Sequence, residues 1–286
     1  MVRSPFVILG AVLAGILVLA GALFAAVSVV DSAEDFASGT SQHGGRDTDI
    51  RTADEALTYT IRDGALGSAS DGAEPDAVAE ELWGRFSTIM GPDAARIRSF
   101  AVYSDPDSSS LASVWRDEKR TAFWHADVNA AFIDDRDELV HTLVHEFGHI
   151  LTLSDDQVPV LSGACPTFEM VEGCPGADTA VAEFQKRFWA PYGDSVPANE
   201  GEDDDEVESF FLDHGSYDTF VTRYAATNPV EDLAESWAEY VLSDQPGVSL
   251  RDPSGQEESS QKVAFFAEFP ALAAQRDRIR TALDLG

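Results

Sequence analysis

Residues 139–153, LVHTLVHEFGHILTL, constrain the architecture more than any other stretch of this chain. Leu139, Leu143, Phe147, Ile150 and Leu151 recur at helical intervals, so one face of a helix must be buried. His145 and His149 are four residues apart and share a face of that helix. A single buried histidine is usually a hydrogen-bonded core residue. Two at this spacing, with Glu146 beside the first, match H-E-x-x-H, in which two imidazoles bind one Zn2+ and the glutamate takes a proton from water acidified by the metal. The expected cofactor is one zinc ion per chain, with His145 and His149 as ligands and Glu146 as general base. His141 continues the series, but eight residues along a helix is about 12 Å. His141 and His149 therefore cannot both reach one ion at about 2 Å, and His141 is expected as a neighbour of the site.

A third ligand must come from elsewhere, and residues 228–242, NPVEDLAESWAEYVL, are the best source. Pro229 suits a helix start, while Leu233, Trp237, Tyr240 and Val241 form an apolar stripe. Glu231 and Glu235 share a face. One can coordinate the metal, and the other can accept a proton from the free ring nitrogen of a ligand histidine and fix its tautomer.

HEFGH followed by a downstream E-x-x-x-E helix resembles the gluzincin group of zinc metallopeptidases. FVTRYAATNPVEDLAESWAEYV is similar to exported bacterial zinc peptidases, and the arrangement is similar to the protease domain of anthrax lethal factor. The resemblance spans about residues 135–242 and rests on these two segments. It implies that Glu231 is the ligand, that Glu235 supports a ligand histidine from behind, and that Glu146 is the base. It also implies that Tyr224, seven residues before Glu231, helps stabilise the oxyanion. Asp155 competes as third ligand, because HEFGHILTLSD has the shape H-E-x-x-H-x-x-G-x-x-D with Thr152 in place of the glycine. That glycine permits a sharp turn back to the metal, whereas Thr tolerates positive φ poorly. His214 is a further alternative, ranked after Glu231, Glu235 and Asp155.

The N-terminus places this chemistry in a compartment. Residues 6–30 carry no charge, and at about 1.5 Å per residue they can cross about 30 Å of hydrocarbon. Arg3 precedes them and Asp31, Glu34 and Asp35 follow, so the N-terminus is expected in the cytoplasm and the remainder outside. The expectation is a single-pass anchor, with secretion after signal cleavage at the Ala26/Ser28 region as the alternative. In an oxidising compartment Cys165 and Cys174, the two cysteines, most simply form a local disulfide, since eight intervening residues do not suit a zinc knuckle.

The net charge of −32 excludes binding to nucleic acid through a basic face. With 44% hydrophobic residues, the chain has enough apolar material for a substantial core. Residues 31–74 are rich in Ser, Gly, Asp and Ala and are expected as a tether, with strand-like composition only in ALTYTI (56–61). A domain is expected over 75–286. It begins with an amphipathic helix from Pro75 to the Gly91-Pro92 stop and continues with two to four strands between 96 and 133. Helices are expected at 135–153, 179–189, 216–225, 229–242 and 259–283, the last broken near Pro270. Strands followed by helices predict an α+β fold, here a zincin-like metallopeptidase domain with a small N-terminal sheet and a mainly helical C-terminal part. The acidic run from Glu200 to Glu208 is expected as a solvated loop, with calcium binding as a minor alternative; it lacks EF-hand spacing.

The function expected from these features is a membrane-anchored, extracytoplasmic zinc peptidase acting on a peptide or protein. A catalytically weak, zinc-stabilised binding domain is the alternative.

Overall fold

The computed structural model describes residues 56–285 except 109, 162, 198–203, 246, 250, 251 and 253. The expected anchor (residues 6–30) and most of the tether lie outside the described residues. No helix among the described residues is long and apolar enough to cross a membrane.

A five-stranded mixed sheet comes first, formed by β1 (Leu57–Arg62), β2 (Ala65–Ala69), β3 (Ile97–Tyr103), β4 (Ala112–Arg116) and β5 (Trp124–Asn129) in the order β2-β1-β3-β5-β4. The β3–β5 pair is parallel and the other three are antiparallel. The tether reading is corrected from Leu57 onward: β1 pairs with both β2 and β3, so this segment belongs to the sheet. Its turn is Asp63-Gly64, both at positive φ (51° and 79°), the conformation whose twist suits a two-residue hairpin. Ile97, Phe100, Trp124, Ala126 and Val128 form the buried face. On β5, His125 and Asp127 alternate with these core residues. Ser99 Oγ lies 2.6 Å from His125 Nδ1 and Asp117 Oδ2 lies 3.3 Å from His125 Nε2, a polar chain linking β3, β5 and the end of β4.

Seven helices complete the described fold: α1 (Ala77–Met90), α2 (Arg136–Thr152), α3 (Ala180–Phe184), α4 (Asp204–Asp213), α5 (Pro229–Leu242), α6 (Glu258–Phe265) and α7 (Pro270–Ala282). Asp76 caps α1 by accepting from Ala79 N, and the helix buries Leu82, Trp83, Phe86 and Ile89. Trp83 meets Phe100 of the sheet edge-on at 5.2 Å. Two sequence expectations are corrected. The acidic run is not wholly a loop, because its end lies in α4; Asp205 and Glu206 near the start complement the positive end of a helix dipole, while Val207, Phe210 and Phe211 bury its other face. The helix expected at 216–225 is two short 3₁₀ turns, Ser216–Asp218 and Tyr224–Ala226. Gly215 (φ 99°) and Ser216 (φ 52°) break the first, and the Thr222 hydroxyl takes the Ala225 N–H in competition with helix propagation.

Helix α5 is fastened at both ends. Asn228 caps it by accepting from Val230 N and Glu231 N at 2.9 and 3.0 Å. At its C-terminus no basic residue lies in the last turn. Instead Arg276 and Arg280 of α7 donate to the Tyr240, Val241, Leu242 and Ser243 carbonyls, which supplies partners that a helix end lacks. Its first turn is also held by a fully buried ion pair, with Lys262 Nζ of α6 2.7 Å from Asp232 Oδ2. Trp189 Nε1 donates to the same oxygen at 2.7 Å, and the Lys262 ammonium lies 4.1 Å above the centre of the Phe220 ring.

Candidate metal centre

Helices α2 and α5 build the site where they cross. At the crossing, a Cβ on Gly148 would lie 2.7 Å from Trp237 Cδ1, so the glycine inside HEFGH is what lets the two helices approach. The contact brings His145 and His149 against Glu231, all buried. His145 Nε2 and His149 Nε2 are 3.0 Å apart, and Glu231 Oε2 lies 3.0 Å from the first and 3.3 Å from the second. Two ring nitrogens and a carboxylate oxygen this close can share one metal ion. Tetrahedral zinc with bonds near 2.1 Å places its ligand atoms about 3.4 Å apart. The donor set of two imidazoles and one carboxylate, with this spacing, fits zinc and leaves a fourth position for water or substrate.

Behind the ligands, His145 Nδ1 donates to Glu235 Oε1 at 2.7 Å, and the other Glu235 oxygen accepts from Thr222 Oγ1 at 2.7 Å. The hydrogen bond at Nδ1 points Nε2 into the cluster. Spacing alone left the order of Glu231 and Glu235 open, and the resemblance put Glu231 first as ligand; Glu231 lies against the two Nε2 atoms and Glu235 against the back of His145.

The charges are strongly coupled. Burial alone would lower His145, but hydrogen bonds to Glu231 and Glu235 outweigh it and hold the imidazole well above the ordinary histidine range. Burial likewise opposes ionisation of Glu231, yet His149 and His145 hold it well below the carboxylate range. Glu235 is held down to about 2 against burial by His141 and His145. Glu146 differs: burial pushes it up to about 7, with His145 and His149 pulling the other way. Its Oε2 is buried and has no hydrogen-bond partner among the described residues. Such an atom is costly to keep unless it has work elsewhere. Tyr224, in the turn before α5, has its ring 6.0 Å from that of His145. Burial, then Glu231, Glu146 and Glu235, hold its proton on well above the ordinary tyrosine range.

The remaining candidates fall outside the cluster. His141 is half-buried and feels Glu235 electrostatically. Asp155 is not among the grouped ligand atoms: it follows the end of α2 at Thr152, and its Oδ2 accepts from Thr121 Oγ1 at 3.4 Å. His214 also lies apart from that group, with its ring packed on Phe210 (4.4 Å) and Tyr192 (4.8 Å). Cys165 and Cys174 are disulfide-bonded, with Cα atoms 5.5 Å apart. Arg116 of β4 ties this loop to the helix that carries the histidines, donating to the Leu153, Val158 and Glu172 carbonyls. Sequence reasoning missed Gly148, Thr222 and the Asp232–Lys262 pair. Only Lys262 gave a signal, as one of three lysines in the chain, set in the apolar context KVAFF.

No family profile and no curated protein matches this chain. Among solved structures it is similar to that of a "putative zinc-binding metallo-peptidase" from Bacteroides caccae ATCC 43185, at 15% sequence identity and a TM-score of 0.28, over 72% of this chain and 67% of that one.

Proposed function

We propose that this chain is a zinc-dependent peptidase of gluzincin type that hydrolyses peptide bonds. The carrying observation is the convergence of His145 Nε2, His149 Nε2 and Glu231 Oε2 within 3.3 Å of one another, with a buried Glu146 carboxylate oxygen on the α2 helix that has no hydrogen-bond partner among the described residues. Zinc, when bound by these three residues, supplies a Lewis acid that polarises the peptide carbonyl and makes water acidic enough to attack near neutral pH. Glu146 takes the proton of the attacking water at its free oxygen and hands it to the leaving amine. A carboxylate near 7 suits both halves of that transfer, accepting and returning a proton at physiological pH. Tyr224 keeps its proton and offers an O–H toward the oxygen on which charge develops. Glu235 fixes the tautomer of His145. We further propose that residues 6–30 anchor the chain in a membrane, so that the site faces the extracytoplasmic side and meets peptides or proteins there.

The test uses the chain from Asp31 onward, assayed for zinc content and for cleavage of a mixed peptide library beside Glu146→Gln. One zinc in both proteins, with cleavage reduced at least about a hundredfold in the variant, is the expected result. Zinc without cleavage in the wild type favours a zinc-stabilised binding domain, and a wild type without zinc contradicts the reading.

A further inference from the structure

Thr222 is not a candidate ligand, and nothing in the sequence marks it. Its hydroxyl nevertheless stands at a junction of the site. Oγ1 donates to Glu235 Oε2 at 2.7 Å and accepts from Ala225 N at 3.0 Å. A hydroxyl has one proton and two lone pairs, so one threonine can make both bonds at once. The direction is fixed, because an ionised carboxylate only accepts and a backbone N–H only donates.

The first bond acts on the metal side. Glu235 touches His145 Nδ1 with Oε1 alone, and the terminal torsion of a glutamate is broad and nearly two-fold. A partner on Oε2 sets the plane of the carboxylate and so aims Oε1 at Nδ1. The second bond acts on the substrate side. Ala225 lies in the 3₁₀ turn Tyr224–Ala226, whose first residue packs its ring 6.0 Å from that of His145. One hydroxyl therefore ties the Tyr224 turn to the carboxylate that steers a ligand histidine.

We propose that Thr222 is a positioning residue for the metal centre: through Glu235 it sets the aim of His145, and through Ala225 it sets the place of Tyr224. This rests on the zinc reading above. Valine in its place keeps the shape and loses both hydrogen bonds, whereas serine keeps both. Partners behind a ligand histidine typically change metal affinity by 10–100-fold, and one bond further out the lower end applies, about tenfold.

The experiment measures zinc affinity by chelator competition, together with the thermal midpoint of the zinc-stripped protein, for wild type, Thr222→Val, Thr222→Ser, Glu235→Ala and the Thr222→Val/Glu235→Ala double variant. Expected are zinc binding about tenfold weaker in Thr222→Val, near-wild-type binding in Thr222→Ser, and no further loss when Thr222→Val is added to Glu235→Ala, because the hydroxyl then has no carboxylate to aim. Where the wild type cleaves peptide, Thr222→Val also lowers kcat more than it raises KM. Equal zinc affinity in wild type and Thr222→Val overturns this inference and leaves the zinc reading standing. So does an additive loss in the double variant, which makes Thr222 a structural residue of the turn. Failure of the wild type to bind zinc overturns both. If Thr222→Val does not fold, Thr222→Ser with Thr222→Ala decides: equal zinc affinity in those two overturns the proposal.

Discussion

Replacing Lys262 with Met keeps the length of the side chain and deletes its charge at the most enclosed ion pair among the described residues. Both side chains of the Lys262–Asp232 pair are wholly buried, with nitrogen and oxygen 2.7 Å apart. Removing one partner of such a pair leaves an uncompensated charge, which costs about 3–5 kcal/mol. The Trp189 donor to Asp232 remains and favours the low end of that range. At about 2–4 °C per kcal/mol for a domain of this size, the thermal midpoint falls by about 6–20 °C. The loss depends on pH. Burial pushes Asp232 up to about 6, with Lys262 and Trp189 pulling it down, and without Lys262 it rises further. An acid whose folded pKa exceeds its unfolded value of about 3.9 contributes stability at low pH that is lost as pH rises through the folded pKa. In wild type that loss is complete a little above pH 6; in Lys262→Met it continues to higher pH. Urea unfolding therefore shows a gap of about 3–5 kcal/mol at pH 8 that narrows by up to about 2.7 kcal/mol at pH 5, at about 1.36 kcal/mol for each of the two pH units above the wild-type pKa of about 6. Adding Asp232→Asn to Lys262→Met recovers part of the loss at pH 8. A gap below about 1 kcal/mol at pH 8, or one independent of pH, refutes the role of this pair in seating α5.

Other perturbations bear on the same crossing. Gly148→Ala places a methyl 2.7 Å from Trp237 Cδ1, and the strain of overpacking, about 1–3 kcal/mol, outweighs the gain in helix propensity; denaturant unfolding reads the stability, and chelator competition reads the weaker zinc binding expected as α5 is pushed away. Zinc affinity falls on acidification, because a proton on His145, favoured by Glu231 and Glu235, competes with the metal; calorimetry in buffers of different ionisation heat detects the proton released, and zinc binding without proton release contradicts the ligand assignment. The pH profile of kcat/KM rises through an acid limb at or below about 7 as Glu146 ionises; a limb well above that value removes it as base. Reducing the Cys165–Cys174 bridge costs about 2–3 kcal/mol on the chain-entropy model of a loop this short, measured by thermal unfolding with and without reductant.

Legibility in the sequence followed the range of the interactions. Helix α2 and its histidine pair were readable because their periodicity is local, and α5 ran from Pro229 to Leu242 as its proline and apolar stripe implied. The mixture of a small sheet and several helices was likewise readable from the order of strand-like and helix-like segments. The hairpin β1–β2 was missed although Asp63-Gly64 is a strong local turn signal, because the surrounding composition resembled a linker. The helix expected at 216–225 failed for the opposite reason. Its spacing was helical, but Gly215 and the Thr222 hydroxyl offered the backbone other partners. The choice between Glu231 and Glu235 could not come from their spacing, which is symmetric with respect to a partner helix. It depends on how α2 and α5 cross, and that is set by Gly148, Trp237, the Asp232–Lys262 pair and the arginines of α7, all contacts between residues far apart in sequence.

Anomalous diffraction at the zinc edge from crystals of the zinc-loaded protein tests the metal centre most directly. One peak bonded to His145 Nε2, His149 Nε2 and a Glu231 oxygen at about 2.0–2.2 Å, with Glu235 remaining on His145 Nδ1, is the expected result. A peak ligated by Glu235 or Asp155, or the absence of any peak between the two histidines, contradicts it.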